Sequence, residues 1–201
     1  DIAEGIKDRA YSAACVIDTG TLKQVAEWHG HCDPDQFGVI LAKLGAYYNQ
    51  ALMVPEARPG PGGITLAKLL QLEYPRLWSR PLGSGAREPH QLLGWETTSA
   101  NRLDLLLTFA AEAVRDFKLV IRSKPLIQEC RNLVYNDSGN PQPHSGTFVD
   151  RVFAAAIAWK IAREVSPVTD YEDLGGARAA LGLTPRRAQR ISWMGKRYGA
   201  R

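Results

Sequence analysis

Long apolar runs are missing from this sequence. None approaches the roughly 20 residues that a bilayer-spanning helix needs. The first residues are acidic and small and show no signal-peptide pattern. Cysteine is scarce: Cys15, Cys32 and Cys130 lie far apart, with no C-x-x-C pair. That leaves no zinc framework and predicts free thiols of a reducing compartment. No G-x-x-x-x-G-K-[ST] occurs, and Gly60, Gly62 and Gly63 do not match it, so the chain holds no P-loop. No G-x-S-x-G occurs either, which leaves serine hydrolysis without support. Internal repeats and low-complexity tracts are also lacking.

What remains is an ordinary globular composition. The 201 residues suffice for one substantial domain with an appendage, at 45% hydrophobic and 23% charged. The net charge is +4 and the isoelectric point about 9.0, a mild pointer to a polyanionic partner. The excess sits near the C-terminus, where Arg186, Arg187, Arg190, Lys196, Arg197 and Arg201 meet no acid. The opening is abrupt, with Asp1 in place of an initiator Met. We expect a piece of a larger protein, with the missing part upstream.

Small and β-branched residues predict a buried strand over Ser12–Asp18. A turn at Asp18–Thr21 leads to a second strand over Leu22–His29. With Asp1–Ile2–Ala3 in front, these make a three-strand antiparallel meander. Asp33-Pro34-Asp35-Gln36 starts a helix, with Phe37, Ile40, Leu41 and Leu44 on one face and Gly45 near its end. Ala51–Val54 reads as a strand, Arg58–Gly63 as a loop of helix breakers, and Ile64–Leu72 as a helix with Leu66, Leu69 and Leu70 inward. Arg76–Trp78 is a short strand, and Pro81–His90 a polar loop. Thr97-Thr98-Ser99 opens a helix to about Asp116, with Leu103, Leu106, Leu107, Ala110, Ala113 and Val114 as its stripe. Lys118–Ile121 is a strand, Ser123–Val134 a helix and Asn136–Asn140 a turn. The last strong helix runs from Val149 to about Glu164.

This order predicts an α/β fold, a mixed sheet flanked by helices. An antiparallel meander followed by strand–helix alternation is the layout of the ribonuclease-H-like fold. The expected domains are 1–165 and a basic helical tail over 166–201.

Three acids fall where such a sheet converges: Asp1 on the first strand, Glu56 after a central strand, and Asp150 in the first turn of the late helix. Each alone has a plainer reading as a turn, cap or solvated charge, and Asp150 suits a helix dipole anyway. Glu4 and Asp8 are neighbouring alternatives to Asp1. Together the three could share magnesium or manganese, which prefer hard oxygen ligands. Two such ions can activate a water and stabilise a leaving oxygen in phosphodiester cleavage. His29 and His31 have a metal-like look, but no second cluster supports them, and surface or structural roles suit them better. His144 lies six residues before Asp150, at a possible site mouth.

Four segments carry a resemblance. They are Asp1-Ile2-Ala3-Glu4-Gly5 with Asp8; Met53-Val54-Pro55-Glu56-Ala57-Arg58-Pro59-Gly60; Leu93-Gly94-Trp95-Glu96-Thr97-Thr98; and Ser145-Gly146-Thr147-Phe148-Val149-Asp150-Arg151-Val152-Phe153-Ala154. In order and spacing, over roughly residues 1–165, the chain resembles the C-terminal nuclease domain of tailed-phage terminase large subunits. The resemblance implies a metal-dependent endonuclease that cuts concatemeric double-stranded DNA during genome packaging in the host cytoplasm. It implies Asp1, Glu56 and the late-helix acid as catalytic metal ligands for two magnesium or manganese ions. An upstream ATPase domain, and a portal or small terminase subunit, are the implied partners; a membrane is not. DNA would approach over Gly60–Gly63 and Pro81–His90, where Arg58, Arg80 and Arg87 would meet phosphates.

The chain departs from the family at one place. Two adjacent aspartates usually precede Arg-Val, and here the first is Val149. Val149 shares the apolar face of Val152, Phe153 and Ile157, and Asp150 lies about 100° round the helix. An acid at 149 would point inward. The competing expectations are another ribonuclease-H-like nuclease, of resolvase or transposase type, and a catalytically weak DNA-binding or docking module.

Overall fold

The computed structural model describes residues 2–3, 11–80, 93–137 and 139–166. Asp1, Glu4, Asp8, the whole of the Pro81–His90 loop with Arg87, and the basic tail beyond Ser166 lie outside them. The described residues form a mixed α/β structure with five α-helices and two small antiparallel sheets. Among them no helix is long and apolar enough to cross a membrane.

Strand β1 (Ser12–Asp18) pairs with β2 (Lys23–Gly30), from Ser12 opposite Gly30 to Asp18 opposite Lys23. The turn between them is held by Asp18, whose carboxylate accepts from Gly20 N at 3.0 Å and from Thr21 Oγ1 at 2.5 Å. This is the turn chemistry expected of an Asp-x-Gly. The expected third strand of the meander is not found among the described residues. Ile2 and Ala3 lie outside any strand, and Ala3 N donates to the Ser12 hydroxyl at 3.1 Å.

The other expected strands shrink to single bridges. Met53 pairs in parallel with Leu77, Glu56 with Trp95 and Lys23 with Val120; Ser79 pairs antiparallel with Leu93. Two local causes are visible. Pro55 has no N–H to offer a ladder. Beyond Val120, the buried Gln24 side chain takes the N–H groups of Arg122 and Ser123, both at 3.0 Å, and so ends the pairing.

Helix α1 (Pro34–Tyr47) starts at Asp33 and Pro34 as expected, although the Asp33 side chain makes no cap hydrogen bond. It does not stop at Gly45. A Cβ there would collide with the Tyr74 ring, so this glycine admits Tyr74 rather than ending the helix. Helix α2 (Pro61–Gln71) begins three residues before the expected start, absorbing the end of the glycine loop. It buries Gly62, Thr65 and Leu69 and leaves Leu70 exposed. The two helices pack closely because Gly38 leaves room for the Lys68 stem. Phe37, Leu41, Leu69 and Tyr74 form the core between them.

Helix α3 (Ser99–Thr108) opens on a reciprocal capping box between Thr98 and Asn101. It then widens into a π-helix over Phe109–Arg115. The inward stripe differs from the expected one: Leu105, Leu106, Phe109 and Ala113 are buried, and Leu107 is exposed. Helix α4 (Lys124–Arg131) is capped by the Ser123 hydroxyl. It gives way to an unforeseen hairpin, β3 (Leu133–Tyr135) with β4 (Pro141–Pro143), around the expected turn.

Helix α5 (Asp150–Val165) is the centre of the molecule. It packs on β1, α3, the π-helix and α4. Val152, Ala155, Ala156 and Trp159 are all at most 1% exposed. A helix buried on nearly all sides belongs to the interior, not to one amphipathic face.

Candidate functional site

The start of α5 has an unusual construction. Val149 occupies the N-cap position and supplies no side-chain acceptor. A carboxylate from α4 does that work: Glu129 Oε2 accepts from Arg151 N at 2.9 Å and from Val152 N at 3.3 Å. The Arg151 guanidinium then bridges two helices and a strand. Its Nη1 donates to Glu129 Oε1 at 2.6 Å and its Nε to Glu27 Oε1 at 2.8 Å. Burial raises the Glu129 carboxyl above its ordinary value, with Arg151 and the two amides opposing. Asp35, Asp18 and the other surface acids have no part in this cluster.

Asp150, at 7% exposure, turns the other way. Its Oδ2 accepts from Tyr11 N at 3.0 Å and lies 3.9 Å from His29 Nε2. That histidine nitrogen is buried and has no hydrogen-bond partner among the described residues. Tyr11 stacks on both His29 and His31, at 4.4 and 3.9 Å between ring centres, with Phe148 edge-on to it. Burial and the Arg151 charge hold His29 below its usual pKa against the pull of Asp150 and Glu27, so the ring is neutral at pH 7.

Glu56 is fixed by its neighbours in the chain. Trp95 N donates to Pro55 O at 2.8 Å, and Ala57 N donates to Trp95 O at 2.7 Å. Two glycines make the close approach possible. Gly94 adopts φ +77°, and a Cβ on it would lie 2.6 Å from Pro55 O. A Cβ on Gly62 would strike Glu56 O. The Glu56 residue is 7% exposed, and no hydrogen bond reaches its carboxylate among the described residues. Glu56 and Ala154 of α5 line one cavity of about 950 Å³.

The expected arginines separate. Arg80 is ion-paired with Glu96. Arg58 is exposed beside Glu56, and Arg87 lies outside the described residues. Arg102, which the sequence reading passed over, stands with them. Its guanidinium carbon lies 4.1 Å from the centre of the Phe153 ring. Loss of hydration lowers its pKa; Glu56 opposes that shift and Arg58 adds to it. No local signal marks Arg102, because both Phe153 and Glu56 are distant in sequence.

Asp1 lies outside the described residues. Among those described, no three or more His, Cys, Asp or Glu side chains group as metal ligands. The donor chemistry of the two described acids nevertheless fits a hard cation. Glu56 offers carboxylate oxygens that no donor among the described residues occupies, and Asp150 Oδ2 is oriented by a backbone amide. Cysteine chemistry has less to offer: burial pushes the Cys15 thiol up to about 12 and the Cys130 thiol to about 11. No protein-family model matches the chain, and no curated protein matches it in sequence.

Proposed function

We propose that this chain is the nuclease domain of a viral DNA-packaging terminase, a ribonuclease-H-like endonuclease that cuts double-stranded DNA with divalent metal ions. The observation that carries the reading is Glu56, a residue only 7% exposed whose carboxylate meets no hydrogen-bond donor among the described residues. A buried carboxylate is costly unless a cation meets it. The strand-like grip on Pro55 and Ala57 holds it in place, as a ligand must be held.

Glu56 and Asp150, with Asp1, would hold magnesium or manganese. Those ions, when bound, supply Lewis acidity to an attacking water and to the leaving oxygen. The chain's own groups orient the parts. Tyr11 N fixes Asp150, Trp95 fixes the backbone on both sides of Glu56, and Arg58 supplies positive charge beside it. Partners on this reading are an upstream ATPase domain and a portal or small terminase subunit, in the host cytoplasm.

Val149 favours a second reading, a docking module that binds DNA and cuts it weakly or not at all. It is an aliphatic side chain, 7% exposed, where the resembling family carries an acid. Plasmid nicking in manganese decides between the two. The nuclease reading expects nicking by the chain, abolished by Asp1→Ala and by Glu56→Ala and enhanced by Val149→Asp. Cleavage indifferent to Asp1→Ala and Glu56→Ala would sink the assigned site. DNA binding without any cleavage would establish the docking module.

A further inference from the structure

Arg102 is placed against ordinary electrostatic preference. It lies in the first turn of α3, where the helix dipole disfavours a cation. The charges that act on it are one carboxylate, Glu56, and another cation, Arg58. Neither guanidinium makes a hydrogen bond or ion pair among the described residues. The Arg102 plane instead rests on Phe153. An arginine lying on a ring keeps its N–H donors free in a fixed orientation, the form suited to a phosphate. Phe153 is three residues past Asp150, about 4.5 Å further along the axis of α5. Arg102 therefore lies against the first turns of α5, within electrostatic reach of Glu56 and Arg58.

We infer that Arg102 and Arg58 form a clamp for one backbone phosphate of duplex DNA, beside Glu56. The substrate class rests on the nuclease reading above; the clamp itself rests on the two arginines and Phe153. A phosphate there would satisfy two cations that otherwise repel each other. It would also fix the register of the duplex at the acids without reading its sequence. Arg80, held by Glu96, has no share in it.

The test is binding of the full chain to a short labelled duplex in calcium, followed by fluorescence anisotropy between about 50 and 200 mM salt. Arg102→Ala is expected to weaken binding about tenfold and to lower the salt slope by about one, and Arg58→Ala to act in the same direction. Arg102→Lys should keep the slope but lose part of the affinity, because the forked contact and the stacking go while the charge stays. Wild-type affinity and slope in Arg102→Ala, with an unchanged melting curve, would overturn the clamp. If the wild-type chain nicks DNA while Arg102→Ala binds normally, the clamp alone fails. If the wild-type chain does not nick but loses binding on Arg102→Ala, the cleavage reading fails and the clamp stands.

Discussion

Gly45 shows how a single residue type can carry two meanings. In the sequence it stands at the end of an apolar stripe and reads as a helix stop. In the fold it is buried three residues before the stop at Tyr48, under the Tyr74 ring. Tyr74 cannot easily retreat, because its hydroxyl donates to Ala51 O at 2.5 Å. Gly45→Ala is therefore expected to destabilise the protein by about 1–3 kcal/mol, an overpacking cost that outweighs the better helix propensity of alanine. Urea unfolding measures it; a variant as stable as wild type would show that Tyr74 moves aside. The residues that were legible had local partners. Asp18 with Gly20 and Thr21, and Thr98 with Asn101, announce their roles within four positions of sequence. Arg102 did not, because what gives it meaning is Phe153 and Glu56.

At the scale of elements, β1, β2, α1, α3 and α5 lie close to where periodicity and caps put them. The failures have physical causes. The β3–β4 hairpin was missed because Pro-Gln-Pro argues against a strand, yet prolines are tolerated at a sheet edge. The inward face of α3 is turned by about one residue from the expected stripe already before the π-helix, where Leu105 is buried and Leu107 exposed; the neighbours it packs on, distant in sequence, set that rotation. No glycine marks the end of the π-helix either; Phe117 takes φ +53° unaided. The junction of α5, α4 and β2 yields a pH prediction. Glu129 has a folded pKa above its ordinary value of 4.5. The folded state thus holds that proton more tightly than the unfolded chain does. Its contribution to stability is full below the ordinary value and is lost as pH rises through the folded one. Arg151 limits the loss. Arg151→Met should cost about 3–5 kcal/mol at pH 7, where the buried Glu129 and the half-buried Glu27 lose their cation, and clearly less near pH 5. Denaturant melts at the two pH values check this; an equal deficit at both would mean Glu129 is not the titrating partner.

At the scale of the whole molecule, the mixed α/β class was readable from element order, while the arrangement that brings Glu56, Arg102 and α5 together was not. Such long-range meetings leave no pattern in a single sequence. One feature of that arrangement bears on how the protein comes into being. The first turn of α5 is closed by Glu129, from a different helix, and not by its own N-cap residue. The first turn of the central helix therefore depends on α4, and we predict that the corner that holds Asp150 is completed late in folding. Stopped-flow traces should show this in Glu129→Gln as faster unfolding with little change in the folding rate. A slowed folding limb would place the closure of α5 early instead. Of the proposed site, then, the Asp150 side would be the last part to form and the first to open.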